Sequence, residues 1–159
     1  MLQKPRFRRL VGCNIQTMST VRLDQLQDAL DWASSDSLTN EAYVCRETGD
    51  VYWIPGDAGI ADEEEDAPGD IHDIEKYALV PDKHYLDLGN KLVFDFAARY
   101  LADQYDDVRA MFRRKGAYRR FRVLLQQRNL VAQWFAYSEE QTRKALESWC
   151  ESEGLGVER

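Results

Sequence analysis

Much of what marks a secreted, membrane-spanning or cofactor-bound protein is scarce in this chain. Its 159 residues hold three cysteines, at 13, 45 and 150. They are odd in number and too far apart for a disulfide framework or a metal-ligand set, which points to a reducing cytosol. Cys45 and Cys150 read as buried small residues rather than nucleophiles. The two histidines, His72 and His84, stand twelve apart with Asp70, Asp73 and Asp82 nearby. They lack the H-x₃-H type of spacing that builds a metal site, and the run EEED at 63–66 lacks the alternating D-x-D-x-D-G of a calcium loop. P-loop, G-x-G-x-x-G and G-x-S-x-G patterns are missing, as is a Cys–His pair with a reason to meet. The expectation is therefore no catalytic residue, no metal and no cofactor. Apolar runs fall well short of the ~20 residues a spanning helix needs, so no membrane segment is expected.

What the chain does have is ordinary for one globular domain: 44% apolar and 31% charged residues, with a net charge of −7. Its first 17 residues are basic and lack amphipathic period, and Leu10–Val11 is too short for the apolar stretch of a signal sequence. Residues 1–17 read as a disordered basic leader or as sequence upstream of a true start at Met18. Residues 18–159 form a single domain. Ser19 and Thr20 are placed to cap a helix with Leu23, Leu26, Leu30 and Ala33 on one face. AYVCR (42–46) and VYWI (51–54) are β-type runs around Gly49 and predict a hairpin. Alternation sends Val51 and Trp53 to one face and Tyr52 and Ile54 to the other. Residues 56–75 carry nine carboxylates and no Lys or Arg, and read as a solvated acidic loop. YALVP (77–81) supplies a third strand.

From Asp87 onward the apolar period is helical. Leu88, Leu92, Val93, Phe96 and Tyr100 make one stripe; Tyr105, Val108, Met111 and Phe112 the next; Tyr118, Phe121, Leu124 and Leu125 a third. QWFAY (133–137) shows little helical commitment. Ser138-Glu-Glu-Gln141 resembles a capping box opening the last helix, which Gly154-Leu155 would close. Strands first and helices afterwards predict an α+β domain: a three-stranded antiparallel sheet covered on one face by about five helices, the C-terminal half all helical.

The chain resembles an uncharacterised bacterial protein family, number 0158 of the UPF series. ETGDVYWI, YALVP, LDLGNKLVFDF, GAYRRFRVLL and WFAYSEEQTRKALESWC carry the resemblance, over about residues 20–155. It implies one intact cytoplasmic domain and carries over no functional residue.

Charge is segregated. RRKGAYRRFR (113–122) holds six cations. Residues 103–137 set eight cations against three aspartates, a surplus of five, which leaves −12 for the remainder of a −7 chain. In a helix expected over about 103–114, Asp103, Asp106 and Asp107 in the first turn and Arg113 and Arg114 in the last complement the helix dipole, at about 0.3–1 kcal/mol for each well-placed charge. Beyond Gly116, Tyr118, Phe121 and Leu125 are expected to face inward, with Arg119 and Arg122 outward beside Gln126. In one reading these cations are a solvated surface, partly neutralised by the chain's own acidic loop. In the other, Arg114, Lys115, Arg119 and Arg122 flank a helix N-terminus and bind an anion or a protein partner. Trp134 and Tyr137 are candidate aromatic contacts. The function expected on the second reading is a non-catalytic binding or regulatory module. A nucleic-acid-associated protein using the same turn with exposed aromatics is one alternative, although the net charge disfavours broad duplex binding. An enzyme of unknown reaction is the other. A homodimer through acidic loop and basic turn is a further arrangement that the segregation allows.

Overall fold

The computed structural model describes residues 18–35, 39–56 and 67–159. The basic leader and the most acidic part of the loop, 57–66, lie outside the described residues. Thr20–Arg22 form β1 and Leu23–Ala33 form α1. Ser19 and Thr20 are therefore not helix caps: Thr20 is extended, and α1 starts after Arg22 with no side-chain cap bond. α1 contains no β-branched residue, and it buries Leu26, Ala29 and Leu30. Ser34 ends it, its hydroxyl and its N–H both donating to the Leu30 carbonyl.

β2 (Glu41–Cys45), β3 (Val51–Ile54) and β4 (Tyr77–Leu79) make the antiparallel sheet in the order β3-β2-β4. Ala42 lies opposite Trp53, and Val44 lies between Val51 and Ala78. That face packs on α1, with the Trp32 and Trp53 rings edge to face at 6.0 Å. On the other face Tyr52 and Tyr77 meet edge to face, while Tyr43 is buried under residues 67–75. There Ile71 is 6% exposed and the His72 Nδ1 lies 3.0 Å from the Tyr43 hydroxyl. The C-terminal part of the acidic loop thus folds against the sheet, and its Asp70 and Asp73 are paired with Lys76. One apolar residue and one ring set edge to face against a tyrosine are enough to dock it, against the solvated loop that its composition suggests.

α2 (Asn90–Tyr100), a 3₁₀ turn (Ala102–Gln104), α3 (Tyr105–Met111), α4 (Ala117–Gln127) and α5 (Val131–Glu153) follow. The domain is α+β, with five helices among the described residues. α5 does not open at Ser138. It runs unbroken from Val131, and Ser138 is an interior residue whose carbonyl accepts from the Thr142 hydroxyl. The S-x-x-Q pattern is therefore not a cap, because QWFAY is held helical by what its rings touch. The expected stop holds: Gly154 has φ 72°, and buried Leu155 donates its N–H to the Cys150 carbonyl at 2.8 Å.

Beyond it Gly156–Glu158 form β5, which pairs in parallel with β1 and ties the two ends of the domain together. Neither strand is evident in the sequence, since three residues carry too little alternation to register. Gly49, at φ 81°, packs the hairpin turn onto β1 so closely that a Cβ there would overlap the Thr20 carbonyl oxygen.

Two cores result. One lies between the sheet, α1 and the C-terminal half of α5; the other lies between α2, α3, α4 and the N-terminal half of α5. Trp134 and Tyr137 pack against both. α5 is the beam that joins them. Among the described residues no helix is long and apolar enough to cross a membrane.

Candidate functional site

The basic turn joins α3 to α4. Phe112 fixes it from inside: its ring meets Phe94 at 5.7 Å, Tyr118 at 5.1 Å and Phe121 at 6.0 Å, all edge to face. Such pairs contribute about 0.5–1.5 kcal/mol each beyond burial, so the turn leaves the core at a defined point. Gly116 then takes φ 77°, a left-handed conformation that costs glycine little. α4 begins at Ala117, and Phe121, Leu124 and Leu125 bury its inner face. Arg113, Arg114, Lys115, Arg119, Arg120 and Arg122 are all exposed.

Two other cations of this region are engaged. Arg128 grips the Asp103 carboxylate through both terminal nitrogens, at 2.9 and 3.0 Å, and this holds the Asp103 carboxyl below the usual carboxylate range. Arg109 stacks over the Phe94 and Tyr105 rings. The six exposed cations differ: among the described residues, none forms an ion pair with a carboxylate, Asp106 and Asp107 included.

The structure divides the four basic residues expected to act together. Arg114 and Arg119 line a wide groove of about 1080 Å³ between α3 and α4, in company with Arg113 and Arg120. Arg119 also borders a second, smaller groove of about 340 Å³ between α4 and α5, and Arg122 lines that one alone. Lys115 stands exposed at the turn and lines neither. Arg113 and Arg120 are the members that sequence reasoning missed. Helical spacing was the available signal, because Arg120 lies four residues from Leu124 on the side of α4 turned toward α3.

Trp134 and Tyr137 are half-buried. Trp134 meets Phe96 and Phe121 at 5.1 Å each, and Tyr137 meets Phe96 at 5.4 Å. Among the rings beside the turn, those of Tyr118 and Phe135 are exposed, at 55% and 57%. Both border the second groove, into which Trp134 shows one edge. Tyr118 was expected to face inward. Its ring instead leans on Phe112 from outside, because the glycine turn starts α4 with only Phe121, Leu124 and Leu125 over the core.

Elsewhere the titratable groups are structural. Burial, with a hydrogen bond to Glu41, pushes the Tyr43 hydroxyl up to about 12. Burial also pushes the Cys150 thiol up to about 12, which leaves it protonated and unreactive at neutral pH. Cys45 is half-buried. Among the described residues no group of three or more His, Cys, Asp and Glu is placed to hold a metal.

Comparison with protein-family models, with curated proteins and with solved structures gives no match. The resemblance to the UPF-series family is thus an expectation from sequence, and the site rests on its own geometry.

Proposed function

We propose that this chain is a non-catalytic binding module whose contact surface is the α3–α4 turn, and that it takes an anionic partner there. One observation carries the reading: six exposed cations with no carboxylate partner among the described residues, in a chain of net charge −7. Charges set on a rigid turn and left unpaired contribute little to folding, and like charges held together cost some of it. An external anion removes that repulsion. Guanidinium forks suit carboxylate and phosphate oxygens, and five of the six cations are arginine. The three widely separated cysteines support a reducing, cytosolic setting for the module.

Single-stranded nucleic acid is the second reading. Tyr118 and Phe135, exposed beside Arg119 and Arg122, favour it, since bases stack on such rings while arginine meets phosphate.

The test is fluorescence anisotropy with a labelled polyglutamate, a mixed acidic peptide and a single-stranded oligonucleotide, on the native chain and on Arg119→Glu/Arg122→Glu. At least one probe is expected to bind, to weaken as salt rises, and to be lost in the double variant. The melting temperature should stay within a few degrees, because exposed substitutions usually change stability by less than about 0.5 kcal/mol. Failure of every probe to bind would refute the proposal, as would equal binding by the variant.

A further inference from the structure

Resting on that reading, we infer that the α3–α4 groove is a docking site for an acidic, amphipathic peptide segment of a protein partner, with arginines gripping its carboxylates and an aliphatic floor taking its apolar side chains. The lining points to this chemistry. Arg113 and Arg114 stand at the turn end of the groove, and Arg119 and Arg120 rise from α4. Between them the floor is aliphatic: Met111, Leu124 and Val123, the last 46% exposed at a helical position next to buried Leu124. An apolar side chain left in water beside four guanidinium groups is a contact awaiting a partner that carries both kinds of group. Methionine adapts to varied apolar shapes, and arginine is enriched in protein interfaces.

Three features favour a peptide over a nucleic acid. No aromatic ring lines this groove, whereas exposed Tyr118 and Phe135 border the other one, so bases have nothing here to stack on. Asp107 also lines it, and a carboxylate in the wall repels a uniform run of phosphates but accepts a peptide N–H or a lysine. Gln104 and Gln127 add amides, the groups that satisfy a peptide backbone. The groove is also wide, about 1080 Å³ and open, at the top of the range for small-molecule pockets and without their enclosure. Charge complementarity thus commits the site to a segment rich in Asp and Glu with apolar residues interspersed.

The experiment uses a labelled peptide of glutamates interleaved with leucines, a peptide of glutamate alone and a single-stranded oligonucleotide, titrated against the full chain by anisotropy. The interleaved peptide is expected to bind at least about tenfold more tightly than either control, a difference of 1.4 kcal/mol. Arg120→Glu, inside the groove, should weaken it at least about tenfold, since reversing a charge beside a paired carboxylate replaces attraction by repulsion. Lys91→Glu, exposed on α2 and lining neither groove, should change it by no more than about twofold. Val123→Lys separates the floor from the field: it adds positive charge, so a loss of about fivefold or more reads the apolar contact alone. Circular dichroism and the melting temperature of each variant confirm that it is folded. Binding of polyglutamate as tight as that of the interleaved peptide, with Val123→Lys neutral, would overturn the groove while leaving the anion-binding turn intact. Tighter binding of the oligonucleotide, lost in Arg122→Glu, would overturn it in favour of the α4–α5 face. No binding of any probe would overturn both readings together.

Discussion

Gly49→Ala is the substitution whose cost the structure sets most sharply. Gly49 has φ 81°, and an L-residue held in the left-handed region costs roughly 1–2 kcal/mol. Sterics then add a second cost. An alanine Cβ would overlap the Thr20 carbonyl oxygen and lie 2.8 Å from its carbon. Backbone cannot rotate out of the way, so β1 must move. β1 carries Val21, 1% exposed, and is held by its parallel pairing with β5. Re-exposing part of a valine costs up to about 1.5 kcal/mol. Each ladder hydrogen bond lost adds about 0.5–1.5 kcal/mol. The total expected is about 3–4 kcal/mol. Gly116→Ala and Gly154→Ala are internal controls: both glycines have positive φ and nothing within 4 Å of an added Cβ. Each control should cost only the conformational part, roughly 1 kcal/mol. Urea unfolding midpoints of the three variants, with unchanged slope, measure the difference. If Gly49→Ala proved no worse than the controls, the packing of the hairpin turn on β1 would be refuted.

Arg46 ties three segments together. Its Nη1 donates to the Glu153 carbonyl at 2.7 Å, its Nη2 to the Glu153 carboxylate at 2.6 Å, and its Nε to the Ile74 carbonyl at 3.0 Å. The pair is about 30% exposed, so Arg46→Met, which keeps the apolar stem, should cost about 2 kcal/mol rather than the full worth of three charged bonds. An unfolding midpoint equal to that of the native chain would show the tie to be idle. At alkaline pH the fold should weaken. Tyr43 and Cys150 ionise from ordinary values of 10.0 and 9.0 when unfolded, and near 12 when folded. Because their folded values are raised, their contribution is complete below pH 9 and is lost as pH climbs toward 12. Denaturation midpoints between about pH 8 and pH 11 should fall, and Cys150→Ala should delay the onset. A flat profile over that window would contradict it.

How much of this was legible in the chain depends on whether a signal is local. The hairpin, the third strand and four helical stripes were readable because period 2 and period 3.6 are written into each segment by the face it must bury. The left-handed stop at Gly154 was readable for the same reason: a glycine and an apolar residue in fixed order satisfy the helix end without distant help. Segments whose state depends on a remote partner were misread. QWFAY belongs to α5 because Trp134 and Tyr137 are clasped by Phe96, Phe121 and Tyr100, residues far away in sequence. β1 and β5 exist only because each supplies the other's hydrogen bonds. The stretch around Ile71 and His72 is acidic in composition and docked in fact, since a single buried side chain outweighs its neighbours' preference for water.

The candidate site divides along the same line. Composition alone determined that six cations crowd one turn and that a glycine permits the turn to form. Only the tertiary structure decided which of them share a groove. Helix α4 presents Arg119 and Arg120 toward α3 and leaves Arg122 with the aromatic edge beside α5. That division follows from how Phe112 and Phe121, their rings edge to face at 6.0 Å, seat α4 beside α3 on a common core. A one-dimensional run of charges contains no such placement, because it depends also on rings outside the run, Phe94, Phe96 and Trp134.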